Sequence, residues 1–207
     1  MKRSIILFSM LFALQTVLAQ TPYFRAGVGI SSLPDAKYSE TESGVSASTY
    51  SFEADVEYDS SIGLCVAFGL ACEDGVKLEG VFSTQENEGT IDVEGTKLKL
   101  DQETRTLGIN AIKEFDGERV VPFINVGLGF VFSELKIPGV SIKDANLSFN
   151  IGGGVTHAIS ETLNLYGSYN YYMIRDGKDS YTVFDSTYDA ELELGLHQFV
   201  VGITQSF

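Results

Sequence analysis

A short stretch near residue 160 carries the side-chain types of a serine hydrolase. His157, Ser160 and Glu161 supply the imidazole, hydroxyl and carboxylate that such a site uses as base, nucleophile and orienting group. Ser160, Glu161 and Thr162 also form an ordinary turn sequence, because serine and its polar neighbours bond readily to nearby backbone. We therefore expect a turn here and no catalytic residue in the chain.

A metal ion needs at least three protein ligands within reach of one another, and the chain has only two histidines, His157 and His197. Acidic residues crowd two segments, but their spacing matches no calcium loop. These residues are Asp35, Glu40, Glu42, Glu53, Asp55, Glu57, Asp59, Asp176, Asp179, Asp185, Asp189, Glu191 and Glu193. We expect a solvated exterior, no metal site and no cofactor. A divalent-cation site and a surface for a host partner are the alternatives.

Charged residues also occur within segments that alternate between apolar and small side chains. Arg25, Lys77 and Glu79 fall on the small, polar face of two such segments, and Tyr166 and Tyr172 on that face of a third. Ion pairs and hydrogen bonds offset the cost of burying charge. We predict that Glu79 pairs with Lys77 or Arg25, and that the five residues form a polar network inside a barrel. A small polar channel is the alternative.

The segments that must position these residues have the two-residue period of strands. In the clearest one, Ile62, Leu64 and Val66 occupy one face, and Gly63 and Cys65 the other. Large apolar side chains outside and small or polar ones inside are typical of a transmembrane barrel. The eight alternating segments are 23–31, 61–71, 76–85, 105–115, 120–133, 147–159, 163–173 and 197–207.

The connections between these segments alternate in length. Three are short turns, 72–75, 116–119 and 160–162, and four are long, 32–60, 86–104, 134–146 and 175–191. In outer-membrane barrels the short turns face the periplasm and the long loops face outward. Alternation continues within 49–58 and 90–100, which predicts hairpins that protrude from the membrane. We predict an all-β, eight-stranded antiparallel up-and-down transmembrane barrel.

The first residues of the chain indicate export. Lys2 and Arg3 precede an apolar stretch that ends in Ala19, the pattern of a signal peptide over residues 1–19. The barrel domain then covers residues 20–207. Without the signal peptide, 12 basic residues stand against 28 acidic ones, a formal net charge of −16. This balance argues against a nucleic-acid partner.

Two cysteines in an exported protein raise the question of a disulfide. Cys65 and Cys72 lie on or next to one predicted strand. Seven residues of extended chain span over about 20 Å, and a disulfide tolerates a Cα separation of at most about 7 Å. We expect two free thiols, and a bridge would require the strand to end early.

Segments 122–130, 163–171 and 199–207 resemble the fifth, seventh and closing strands of small outer-membrane barrel proteins, a group that includes the opacity proteins and porin-like surface antigens. The resemblance covers the chain from about Tyr23 onward. It implies that Phe207 serves as the C-terminal signal for the outer-membrane assembly machinery. The chain departs from many members in its acidic loops and in Gln205, where a closing strand often carries an aromatic residue.

The resemblance implies an outer-membrane barrel but little about activity, since members share the barrel and differ in the loops; from the residues considered above we expect no enzymatic activity. We expect a monomeric anchor in the lipid bilayer that displays four acidic extracellular loops, as a surface antigen, an adhesin or a structural part of the envelope. A partner outside the cell would bind through the loops. A narrow porin-like channel and a soluble periplasmic barrel of the lipocalin type are the alternatives, and the second requires an apolar interior.

Overall fold

The computed structural model describes residues 21–33, 36–44, 50–93, 96–137, 140–174, 179–183, 186–192 and 195–207. The strands in chain order are β1 (Thr21–Ser32), β2 (Ala36–Gly44), β3 (Tyr50–Tyr58), β4 (Ser61–Ala71), β5 (Val76–Val93), β6 (Thr96–Glu114), β7 (Val120–Ile137), β8 (Val140–Ala158), β9 (Leu163–Ile174), β10 (Asp179–Val183), β11 (Ser186–Leu192) and β12 (Gly195–Ser206). Within these ranges no helix has the length and hydropathy needed to cross a membrane. The predicted signal peptide lies outside the described residues and stays a prediction.

Eight of these strands close into a barrel in the order β1, β4, β5, β6, β7, β8, β9 and β12. Each strand pairs antiparallel with the next. The ring closes where β12 pairs with β1, from Tyr23 opposite Ser206 to Ser32 opposite His197. The predicted eight-stranded antiparallel barrel is therefore confirmed.

The pairing register fixes the stagger of the barrel. A path of directly opposed residues runs from Thr21 through Ala71, Lys77, Ile112, Asn125, Gly152, Asn170 and Gln198 to Ser31. One circuit thus returns to β1 ten residues further along, which is a shear of ten. With about 3.3 Å per residue and about 4.7 Å between strands, this shear tilts the strands by about 40°.

The outer surface of the barrel wall is apolar and the interior is mixed and largely polar. Ile62, Ile109 and Val201 on the outer face are 78%, 68% and 64% exposed, whereas Ser83 and Asn110 on the inner face are buried. A hydrocarbon environment stabilises this arrangement, and water would not. The soluble lipocalin-type alternative, which needs the opposite polarity, is wrong.

The barrel wall is much taller on one side than on the other. β5, β6, β7 and β8 have 18 or 19 residues each, and β1, β4, β9 and β12 have 11 or 12. At a tilt of about 40° the long strands rise about 45 Å, well beyond an apolar band of about 25 Å. The protruding hairpin predicted over 90–100 is confirmed as the tip of β5 and β6.

The long connections contain more regular structure than the sequence predicts. β2 and β3 form a hairpin, β10 and β11 form another, and β3 pairs with β5 from Val56 opposite Ile91 to Tyr58 opposite Gly89. β11 pairs with β2, so these strands continue the wall of β5 as one sheet above the barrel. Of the segments expected as loops, 134–146 contains the end of β7 and the start of β8, and 175–191 contains β10 and most of β11. Outside the bilayer no lipid imposes an apolar outer face on a strand, so the pattern that marks the membrane strands does not identify these segments.

Candidate functional site

The buried carboxylate of Glu79 is the centre of the polar interior. Its oxygens accept hydrogen bonds from the Tyr23 hydroxyl at 3.1 Å, from Arg25 Nη1 at 3.2 and 3.4 Å, and from Asn110 Nδ2 at 3.2 Å. Tyr23, Gly69, Glu79 and Asn110 lie on one path of opposed residues across β1, β4, β5 and β6. The register therefore delivers two of the three donors, Tyr23 and Asn110, and the third, Arg25, is the next residue of β1 on the same face.

Aromatic rings hold the guanidinium group of Arg25 from the other side. Its Cζ lies 3.9 Å from the ring centroid of Tyr166 and 5.5 Å from that of Phe123, both in the range of cation–π attraction. The side chains of Arg25 and Glu79 are only 12% and 4% exposed. The charge of each is thus neutralised by the other, and both Glu79 oxygens are hydrogen-bonded, as burial of a charge requires.

Two of the five sequence-selected residues lie elsewhere. Lys77 pairs with Glu114 at 2.5 Å near the short turns, and its Nζ lies 5.3 Å from the ring centroid of Tyr23. Of the two partners predicted for Glu79, the structure therefore places Arg25 beside it. Tyr172 packs in an apolar cluster described below. Tyr23 was not identified from the sequence as a hydrogen-bond donor to Glu79. Tyr23 is two residues before Arg25 on β1, so the two side chains lie on the same inner face.

An apolar cluster lies at the opposite end of the lumen, where the long connections begin and where the inner faces of β5 and β6 carry buried Gln85, Asn87 and Gln102. Its buried members are Leu33, Val131, Tyr172, Ile174 and Leu196, and Tyr58 packs against them. Leu33 directly follows β1, Tyr172 and Ile174 lie at the end of β9, Leu196 at the start of β12, and Val131 on β7. Side chains thus occupy the lumen at two levels, a polar one near the short turns and an apolar one near the outside.

The space between these two levels is small. The cavity there has a volume of about 20 Å³, which is room for one or two water molecules. Among the described residues, eight buried side-chain polar atoms have no protein partner, on Gln85, Asn87, Gln102, Thr104, Asn110, Asn125, Asn150 and Gln198. Internal water in this cavity would satisfy the atoms on Asn110, Asn125 and Gln198, which line it.

Of the residues considered for catalysis and metal binding, Ser160 and His197 make hydrogen bonds with a structural role. The Ser160 hydroxyl accepts hydrogen bonds from the backbone N–H groups of Thr162 at 3.4 Å and Leu163 at 3.1 Å, which closes the turn. His197 Nδ1 is 2.7 Å from the Tyr169 hydroxyl. Within the described part of the chain, no three His, Cys, Asp or Glu side chains are grouped to hold a metal ion. Cys65 and Cys72 are free thiols.

A glycine next to Tyr23 is required by the polar network. A Cβ atom added at Gly69 would lie 2.5 Å from Tyr23 Cζ and 2.7 Å from the Leu78 carbonyl oxygen. We expect Gly69→Ala to displace the Tyr23 ring from Glu79 and to lower the free energy of unfolding by about 1–3 kcal/mol. Urea titration of the protein in lipid vesicles, followed by circular dichroism, measures this loss.

Gly80 provides the matched control for that prediction. Its added Cβ would meet nothing closer than 4.0 Å, because the position faces outward. Gly80→Ala is expected to leave the free energy of unfolding unchanged or slightly raised, since alanine restricts the unfolded chain. Equal losses in the two variants would contradict the close packing of Tyr23 on Gly69.

Comparisons with known proteins agree with this geometry. The chain matches the family model described as "Outer membrane protein beta-barrel domain" over residues 4–207. The outer membrane protein OprG from Pseudomonas aeruginosa superposes with a TM-score of 0.65 at 14% identity, covering 91% of this chain and 96% of that one. Neisserial surface protein A superposes with a TM-score of 0.52 at 16% identity, covering 88% and 99%. A search among curated proteins finds no match to this sequence.

The family match, the closed eight-stranded barrel and the apolar outer wall agree with one another. The predicted family resemblance and the predicted outer-membrane location are confirmed. The chain belongs to the outer membrane protein beta-barrel domain family and resides in the outer membrane.

Proposed function

We propose that the protein is a monomeric membrane anchor that displays a folded extracellular sheet, as a surface antigen, an adhesin or a structural part of the envelope. The observation that carries this proposal is the filled lumen. Side chains around Glu79 occupy it near the short turns, side chains around Leu196 occupy it near the outside, and a cavity of about 20 Å³ remains between them. A barrel of eight strands has little other interior space.

The displayed sheet supports the same proposal. β2, β3, β10 and β11 contain eight acidic residues and one lysine by sequence, and they extend the wall of β5 above the barrel. Such a charge balance favours a partner with a basic surface, because opposite potentials accelerate encounter. The proposal includes no catalytic step.

A narrow channel is the second candidate. The eight buried polar atoms without a protein partner in the described residues favour it, since they indicate a hydrated interior. Water molecules that are separated by packed side chains do not form a continuous path, so we rank this function below the anchor.

Conductance separates the two functions. We expect the purified full chain in planar lipid bilayers to produce no current steps of reproducible size, because ions would have to displace the Glu79 network and the Leu196 cluster. A bilayer containing a general porin at the same protein density provides the positive control. Reproducible open-channel steps from correctly folded protein would overturn the anchor and support the channel.

We also propose that Phe207 is the C-terminal signal for the outer-membrane assembly machinery. The Phe207 side chain is 72% exposed, and its backbone N–H donates to the Pro22 carbonyl oxygen at 3.0 Å. Its backbone is thus held in place in the folded barrel while the ring points outward.

A further inference from the structure

The first strand of the barrel begins directly behind the predicted signal peptide. β1 starts at Thr21, which is opposed to Ala71 on β4. On the other side, the backbone N–H of Phe207, just after β12, donates to the Pro22 carbonyl oxygen at 3.0 Å. Both neighbouring strands therefore hold β1 from its first two residues. An export signal has to be cleaved before Thr21 to leave β1 whole.

The sequence offers two alanines ahead of β1 at which this cleavage could occur, Ala13 and Ala19. A signal-peptide cleavage site has small residues at the first and third positions before the cut. Cleavage after Ala13 would put the bulky Leu11 at the third position, whereas cleavage after Ala19 puts the smaller Val17 there. The second cut leaves one residue, Gln20, ahead of β1.

A glutamine at the start of a chain can undergo a reaction that an internal glutamine cannot. Its free α-amine and its side-chain carboxamide carbon belong to the same residue, and joining them closes an unstrained five-membered ring. Such proximity makes a ring closure far faster than the same reaction between separate molecules. An α-amine loses its proton near neutral pH, so a share of it is in the neutral, nucleophilic form that the reaction needs.

The rim of the barrel from which β1 rises faces water. Thr21 is exposed, and its partner Ala71 is the last residue of β4 before the short turn at 72–75. Phe207, also exposed, lies beside Pro22 at the seam where β1 pairs with β12. Because short turns face the periplasm, the mature chain starts on the periplasmic side of the membrane, next to its own C-terminal residue.

We propose that cleavage after Ala19 makes Gln20 the first residue of the mature protein and that this residue closes to pyroglutamate. The nitrogen of the α-amine attacks the side-chain Cδ, and a bond forms between them. The bond between Cδ and Nε2 breaks, and the leaving nitrogen takes up the proton that the amine gives up and departs as ammonia. Nothing is oxidised or reduced, and the ring closure needs no co-reactant.

The ring protects the start of the strand that closes the barrel. Chain termini are preferred sites of proteolysis, and an aminopeptidase binds the free α-amine. After removing one residue, such an enzyme would reach Thr21, the first paired residue of β1. A lactam has neither the free amine nor its positive charge. β1 also carries Arg25, so its integrity matters whether the protein displays a surface or conducts.

The test uses the full chain as the bacterium that encodes it produces it, extracted from the outer membrane. Intact-mass spectrometry is expected to give the mass of residues 20–207 less one molecule of ammonia. Edman degradation is expected to give no sequence until pyroglutamyl peptidase has removed the blocked residue, and then to begin at Thr21. A free glutamine at position 20, or a mature chain that begins at another residue, would overturn the proposal.

Gln20→Asn is the matched control, because it keeps a side-chain amide but would have to close a strained four-membered ring. The variant is expected to show no loss of ammonia and to give a readable Edman sequence from position 20. An aminopeptidase added to outer-membrane fragments should remove the first residue of the variant and leave that of the unaltered protein in place. Loss of ammonia from the variant, or equal removal from both proteins, would contradict the ring. Heat-dependent gel mobility checks that both proteins are folded.

Discussion

Replacing Glu79 by glutamine is expected to lower the free energy of unfolding by about 3–5 kcal/mol. The substitution removes the charge that neutralises Arg25 while leaving Arg25 buried against Tyr166. It also turns an acceptor of three hydrogen-bonding groups into an amide that cannot accept at both of its ends. Urea titration in phospholipid vesicles, followed by circular dichroism and heat-dependent gel mobility, measures the loss. The chain contains no tryptophan whose fluorescence could report it.

A double-mutant cycle separates the ion pair from general damage. Arg25→Gln together with Glu79→Gln is expected to cost less than the sum of the two single changes, because neither charge is then left alone in the interior. Glu114→Gln is the control. That residue pairs with Lys77 near the short turns, where both side chains are nearly a fifth exposed, and its loss should cost about 1 kcal/mol or less. Additivity of the Arg25 and Glu79 changes would show that the pair contributes no coupling.

Placing an arginine at Ile109 is expected to lower the free energy of unfolding by about 2–4 kcal/mol, because a guanidinium group at the centre of the bilayer is poorly solvated. Ile109 lies midway on β6 between Lys113 and Arg105, which mark the two edges of the apolar band, and is 68% exposed on the outer face. The same titration in vesicles measures the effect.

Val120→Arg is the matched control for Ile109→Arg. Val120 is the first residue of β7 and is 51% exposed beside a short turn, so its arginine reaches water. The expected cost there is about 1 kcal/mol or less. A larger loss at Val120 than at Ile109 would mean that the apolar band is placed at the wrong height on the wall.

Strand positions and facing could be predicted from the sequence because the membrane imposes them. The segment 61–71 coincides with β4, since lipid outside and a crowded interior inside select opposite side chains at every residue. The same rule assigns Arg25, Glu79 and Tyr166 to the interior. This rule no longer applies where the wall extends beyond the bilayer. For that reason the observed strands β5 to β8 are longer than the segments predicted from alternation.

The partners across the lumen could not be predicted in the same way. Parity states which face a residue occupies, but its neighbours across the barrel depend on the shear of ten, which the sequence does not reveal. Glu79 and Arg25 are 54 residues apart, and Glu79 and Asn110 are 31 apart. Lys77 lies on the same inner face of β5 as Glu79, which made it a candidate partner. In the structure it pairs with Glu114 instead.

The continuous pairing of the tall wall constrains how this protein can evolve. β5 and β6 are opposed without interruption from Val76 and Lys113 to Val93 and Thr96. One residue inserted within β6 would reverse the facing of the rest of that strand, so that its cations would turn inward and its buried polar residues outward. Length variation among descendants should therefore concentrate at the hairpin tips, with residues added to both strands together. The outer surface of the wall can then change mainly through single amino-acid substitutions, not through insertions or deletions.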